Sequence, residues 1–311
     1  MISPAFRGHG TFCYLPDETM HRYRAYPSAA GTGRAQRFAQ AARDMGMSHI
    51  WVRLFGLEGV MEAAPTKELV DAARAAGLAV AGWGYCHGAQ PATDLARARA
   101  EADRHQITAF VADIEPGRLL GGTRARWEEA KLGDFMDGLV AHFGRDNVGI
   151  STWPVLAIQN EPAFPSKKLM QAVADRVAMF APQAYWMIYP KPVHYAATGF
   201  KEADYPRNDP ASFVRLVVDA WRADGLQNPL VVTGQAYWGE GAPAPDVLAA
   251  KIRAFSAAFN AWPRIAGFNW WHAGGPKAMS SHMIDALKIA QLGSRPFAHL
   301  GAHEAAQIAT S

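Results

Sequence analysis

A recurrence constrains this chain more than any other feature. Short runs of small, β-branched and aromatic residues return about every 35 residues, each followed by a stretch with apolar positions at helical spacing. The runs fall at 10–15 (GTFCYL), 49–55 (HIWVRLF), 78–85, 109–117, 148–153 (VGISTW), 184–188, 230–237 (LVVTGQAY) and 265–271 (IAGFNWW). Helices are expected over 33–45, 69–76, 93–105, 127–143, 167–179, 209–223, 247–259 and 283–292. Phe38, Ala41, Ala42 and Met45 share one face of the first of these, Gly77 closes the second, and Ser166 caps the fifth. Eight strand-then-helix units predict an α/β fold, a single (β/α)8 TIM barrel over residues 1–292, with 293–311 as a C-terminal tail. An open doubly wound sheet would carry a phosphate-binding glycine fingerprint after its first strand. Gly31-Thr32-Gly33-Arg34-Ala35-Gln36 lacks both the third glycine and the strand before it.

Composition narrows the function classes. Half of the 311 residues are apolar and 19% are charged, so a large core is available. A net charge of +3 with no basic cluster argues against nucleic acid as a partner. No apolar run reaches the ~18 residues a bilayer span needs, and the first seven residues lack the apolar segment of a signal peptide. The chain therefore reads as soluble, with no membrane partner, acting in the cytoplasm or exported by a phage or another non-Sec route. A monomer or weak oligomer is expected. Cys13 and Cys86 are too few for a disulfide framework or a zinc motif, and read as buried thiols. No cofactor and no metal is expected.

The stretch Ala109-Phe110-Val111-Ala112-Asp113-Ile114-Glu115-Pro116-Gly117 carries the chemistry. It reads as a buried parallel strand whose end, stopped by Pro-Gly, emerges into a loop. Strand side chains alternate, so Asp113 and Glu115 point to one side and share one pocket, with backbones about 6.5 Å apart. Two carboxylates that close shift each other's ionisation and suit acid and base roles. In a barrel the active site is built at the C-terminal ends of the strands. Those ends carry Arg53 and Phe55 on strand two, Trp83, Tyr85 and His87 on strand three, and Ser151, Thr152 and Trp153 on strand five. Strand six offers Gln183, Tyr185 and Trp186, strand seven Gln235, Tyr237, Trp238 and Glu240, and strand eight Asn269, Trp270, Trp271 and His272. Flat aromatic faces beside amides and hydroxyls fit a sugar, whose C–H faces stack and whose hydroxyls need partners. Expected substrate contacts are Arg53, Trp83, Tyr85, Trp153, Gln183, Trp186, Gln235, Tyr237, Trp238, Glu240, Asn269 and Trp271.

With these residues the chain resembles glycoside hydrolase barrels of the family 25 lysozyme and family 18 chitinase type, in which D-x-E ends strand four. The resemblance implies that Glu115 is the proton donor, that Asp113 orients the N-acetyl group of the substrate as nucleophile, that Tyr185 assists, and that Trp270 or Trp271 floors the pocket. It implies a polysaccharide or oligosaccharide partner, an N-acetylhexosamine-containing glycan such as peptidoglycan, cleaved with retention. If the substrate lacks an acetamido group, the second carboxylate must come from another strand, and Glu240 is the candidate. Three alternatives stay open: a non-catalytic carbohydrate-binding barrel, a metal-dependent enzyme using His87, His272 and Asp113, and a phosphate-dependent one using Gly274-Gly275.

Overall fold

In a computed structural model, which describes residues 1–116, 126–158, 165–185, 191–207, 209–236, 250–252, 265–275 and 278–290, eight parallel strands close on themselves. They are β1 (Gly8–Cys13), β2 (His49–Gly56), β3 (Ala79–Cys86), β4 (Phe110–Ile114), β5 (Val148–Thr152), β6 (Met179–Ala184), β7 (Leu230–Gln235) and β8 (Ile265–Trp271). Each pairs with the next, and β1 also pairs with β8, Gly10 opposite Asn269, which completes the cylinder. The described helices are α1 (Pro16–Arg22), α2 (Arg34–Asp44), α3 (Ala63–Ala75), α4 (Pro91–Arg104), α5 (Glu129–Phe143), α6 (Lys167–Val173), α7 (Pro192–Thr198), α8 (Pro210–Ala223) and α9 (Ser281–Ala290). This is the TIM-barrel architecture that the eightfold recurrence predicts. No helix among the described residues is long and apolar enough to cross a membrane.

Alternation along the strands divides the core in two. Ile50, Val52 and Leu54 of β2 and Phe110, Ala112 and Ile114 of β4 face outward and pack in one cluster with Phe38, Leu69, Phe135 and Leu139 from α2, α3 and α5. Trp51, Ala81, Trp83, Val111, Met179, Ala181 and Val231 face inward and fill the barrel with Phe6 and Phe12. The turn Pro4–Phe6 stoppers the N-terminal end: Phe6 meets Trp51 edge-on at 6.0 Å, and the Trp51 indole N–H donates to the Ala5 carbonyl at 2.7 Å. A polar pair crosses the interior beside these rings, His49 Nε2 to Asn269 Oδ1 at 3.0 Å. Gly10 lies against it, where a Cβ would come within 2.4 Å of the His49 ring and 2.6 Å of Asn269 Oδ1. The barrel is thus plugged at one end and open for chemistry only at the other.

The elements depart from the sequence expectations in four places. Strand six, expected with its centre over 184–188, is Met179–Ala184, and the helix expected to reach 179 ends at Val173, followed by a 3-10 turn, Ala174–Arg176. An alanine-rich segment with an internal proline carries weak strand signals. The sheet accommodates it because the β6–β7 ladder registers Phe180 with Leu230 and Gln183 with Thr233, passing over Pro182, which has no N–H to give. Helix α3 starts six residues before position 69, with Pro65 in its first turn where a missing N–H costs nothing. The polar loop after β1 and the proline-rich loop after β6 hold short helices, α1 and α7, each with proline at its first position. Of the helix expected over 247–259, residues 250–252 are helical and the others lie outside the described residues, as does 293–311. Ser166 caps α6 as expected, accepting from the Leu169 N–H at 3.4 Å.

Candidate active site

Asp113 is the penultimate residue of β4, in register with Tyr85 of β3 and Ser151 of β5, and is 3% exposed. Glu115 lies just past the strand, but its N–H donates to the Cys86 carbonyl at 3.0 Å and so extends the ladder by one residue. That bond keeps the strand's alternation going, and both carboxylates turn to the barrel mouth. There they meet one amide. Gln183 Nε2, at the end of β6, donates to Asp113 Oδ1 at 3.0 Å and to Glu115 Oε1 at 2.7 Å, with Ser151 Oγ at 3.4 Å. Burial raises the Asp113 carboxyl well above the usual range, the Glu115 charge adds to this, and bonds from Ser151 and Gln183 with the nearby Arg53 charge oppose it. Burial also raises Glu115, against the Gln183 bond. The two acids act as a pair that favours keeping a proton. Tyr85, whose hydroxyl donates to the Pro116 carbonyl at 3.1 Å, is pushed up by burial and then by the charges of Glu115 and Asp113.

The acids open into a cleft of about 310 Å³ lined by Tyr14, Arg53, Leu57, Glu58, Trp83, Tyr85, Asp113, Glu115, Gln183, Tyr185 and Trp271. Its wall is aromatic. Trp83 meets Trp271 at 5.5 Å and Phe12 at 5.5 Å, both edge-on, and stacks on Tyr14 at 6.1 Å. Trp83 Nε1 is buried and has no hydrogen-bond partner among the described residues. Arg53 comes from β2 where the register with β3 shifts between Arg53 and Phe55, a bulge that re-aims the side chain at the strand end.

The structure brings eight of the residues singled out from sequence into this cleft: Arg53, Trp83, Tyr85, Asp113, Glu115, Gln183, Tyr185 and Trp271. Others lie elsewhere. Asn269 sits deeper in the barrel, bonded to His49, because it is two residues before Trp271 on the same inward face. Gln235, last in β7, is buried, and Trp153, just past β5, is half-buried; neither lines the cleft. Between the two tryptophans considered for the pocket floor, the choice falls on Trp271. Trp270 faces outward, where its indole N–H donates to His9 Nε2. Trp186, Tyr237, Trp238 and Glu240 lie outside the described residues. Sequence reasoning missed Tyr14, Leu57 and Glu58. Tyr14 follows Phe12 by two and was legible from alternation alone. Glu58 reaches the cleft because β2 folds back through an antiparallel pair, Phe55 with Val60 and Gly56 with Gly59. Only the Gly-Leu-Glu-Gly spacing, two residues between glycines, signals that hairpin.

The histidines considered as metal ligands are engaged locally. His87 Nδ1 accepts from the Ala89 N–H at 3.3 Å, and His272 Nδ1 lies 2.8 Å from the Gly274 carbonyl. Among the described residues no three His, Cys, Asp or Glu side chains form a group able to hold a metal ion.

No protein-family model matches the sequence, and no curated protein matches it. Solved structures do. The fold is similar to the hyperthermostable endo-1,4-beta-D-mannanase from Thermotoga petrophila, at 12% identity and a TM-score of 0.55 over 92% of this chain and 100% of that one. It is similar to the family GH113 beta-mannanase from Alicyclobacillus acidocaldarius, at 13% identity and a TM-score of 0.55 over 95% of this chain and 97% of that one. The spore cortex-lytic enzyme from Bacillus megaterium aligns at 10% identity and a TM-score of 0.54, over 93% of this chain and 75% of that one. At such identities the likeness is one of fold.

Proposed function

We propose that the protein is a glycoside hydrolase that cleaves an N-acetylhexosamine-containing polysaccharide, such as peptidoglycan, with retention of configuration. One observation carries the reading: Asp113 and Glu115, held side by side by the single Gln183 amide, face an aromatic cleft at the C-terminal end of a parallel barrel. The similarity to barrels named as mannanases and as a cortex-lytic enzyme supports the glycosidase part of the reading. Glu115 is the general acid. It is the less buried of the pair, and its pKa, raised by burial, lets it keep a proton to donate to the glycosidic oxygen.

The two acids rise from one strand and share one donor, so they stand on the same side of the bond to be broken rather than on opposite faces of the sugar ring. The attack therefore comes from the substrate. Its 2-acetamido oxygen bonds to the anomeric carbon as the glycosidic bond breaks and Glu115 protonates the departing oxygen. Asp113 orients the acetamido N–H and Tyr185 holds its carbonyl. Water then opens the cyclic intermediate, giving its proton back to Glu115, and two inversions leave net retention. The test is product analysis on peptidoglycan and on N-acetylglucosamine oligomers, with β-mannan and cellulose as controls, and with a thiazoline analogue as inhibitor. Retained products and thiazoline inhibition are expected. Cleavage of mannan or cellulose alone, without thiazoline inhibition, overturns the N-acetylhexosamine assignment and turns attention to Glu240.

A further inference from the structure

A buried arginine normally has a buried ion-pair partner, and among the described residues Arg53 has none. Arg53 is 4% exposed, and its guanidinium lies 4.4 Å above the Tyr14 ring and 5.5 Å from the Trp83 ring. Its Nη2 donates to Glu58 Oε2 at 3.1 Å, and Nη1 lies 2.7 Å from Oε1 as an ion-pair contact. The Glu58 side chain is 55% exposed, at the tip of the hairpin between Gly56 and Gly59. The cation is closely packed: besides the two rings, a Cβ at Gly56 would fall 1.8 Å from Arg53 Nη2. The anion is loose. Arg53 Nε and Nη1 have no hydrogen-bond partner among the described residues, and both side chains line the same cleft as Asp113 and Glu115.

Burying a guanidinium carries a desolvation cost that a half-exposed carboxylate recovers poorly, since ion pairs open to water contribute little. A planar fork fixed by two aromatic rings matches any carboxylate bidentately, so exchanging Glu58 for another carboxylate that excludes water is favourable. Asp113 and Glu115 do not fill this role, because Gln183 holds them. We propose that Arg53 is a recognition site for a carboxylate carried by the glycan, which displaces Glu58 from the guanidinium fork when substrate binds. The substrate class is then an acidic N-acetylhexosamine glycan, its carboxylate a ring uronate or an O-linked side group such as a lactyl ether. This rests on the glycosidase reading and adds to it a charge requirement.

The test measures binding of three oligosaccharides of equal length to the Glu115→Gln protein by calorimetry. One is a neutral N-acetylglucosamine oligomer, one bears lactyl ethers on alternate sugars, and one alternates hexuronate with N-acetylhexosamine. At least one acidic ligand is expected to bind about tenfold or more tightly than the neutral one, a ratio that shrinks with added salt. Arg53→Gln should bring the ratio to about one. Arg53→Lys, which keeps the charge without the fork, should leave it intermediate. Glu58→Gln removes the competing anion and should raise the ratio; this residue is exposed, so the variant does not put the fold at risk. A ratio near one in the parent protein, or one that neither Arg53→Lys nor Glu58→Gln changes, overturns the proposal. If the neutral oligomer is bound by the Glu115→Gln protein without any acidic preference and is cleaved by the unsubstituted enzyme, only the arginine assignment falls. If none of the three binds, the glycosidase reading falls and takes this one with it.

Discussion

At the scale of single residues the site is organised around one amide. Gln183 offers two hydrogens to two carboxylates that would otherwise repel each other, and its position at the strand end fixes both. Function here opposes stability. A carboxyl whose folded-state pKa is raised binds more protons folded than unfolded, so stability falls as pH climbs from the unfolded value through the folded one. Asp113→Asn should therefore raise the unfolding midpoint at neutral pH, leave it unchanged below about pH 4, and lower kcat by about 10²-fold or more. Circular dichroism melts at several pH values together with product assays would check both halves. Asp94 gives the same sign without the activity. It is 2% exposed in the first turn of α4, with Oδ2 unpaired and Arg97 as far as 3.9 Å away, and burial pushes it up to about 6. Asp94→Asn should stabilise above pH 6 by about 1–3 kcal/mol in denaturant unfolding, with turnover unaltered; the upper figure is the whole shift converted, and the favourable helix N-terminus reduces it. A melt showing no gain between pH 4 and 7 would count against burial as the cause.

At the scale of elements, alternation turns an aromatic residue into the barrel, and its depth along the strand decides whether it works or only packs. Trp83 is 1% exposed and wedged among Phe12, Tyr14 and Trp271, so Trp83→Ala should cost about 3–5 kcal/mol of stability. Trp271, half-buried at the end of β8, should behave differently: Trp271→Ala is expected to raise KM several-fold with a small change in melting temperature. Equal effects of the two on stability, with KM untouched by Trp271→Ala, would make the whole wall structural. The same alternation explains what was legible beforehand. Asp113, Glu115, Trp83 and Tyr85 lie on strands with strong apolar runs, and period two assigned their faces correctly. The sequence pattern centres strand six on 184–188, late of its place at Met179–Ala184, because Met179-Phe180-Ala181-Pro182 lacks the β-branched residues that announce a strand, yet Gln183 and Tyr185 still fall at its C-terminal end. Glu58 was invisible for another reason. Its place in the cleft depends on a two-residue fold-back, and no periodicity reports which way a hairpin tip points.

For the molecule as a whole, two buried histidines guard the junction where the cylinder closes. His49 bonds Asn269 from β2 to β8 across β1, and His9 of β1 accepts from Trp270 of β8. Burial lowers His49 to about 4 and His9 to about 3. Their unfolded forms bind more protons below pH 6.5, so stability from this junction is complete above that pH and is lost as pH falls toward 4. His49→Gln should lower stability at pH 7 and flatten the dependence between pH 6.5 and 4, read as the difference in melting temperature from the parent protein. A parallel pair of curves would mean that His49 stays uncoupled from unfolding.

That junction also sets a clock on biosynthesis. About 250 residues separate the end of β1 from the start of β8. A ribosome adding ~5–20 residues per second takes roughly 13–50 s to cover them. Throughout that interval the nascent chain presents one bare row of backbone donors and acceptors on its very first strand, a template any neighbouring polypeptide could zip onto.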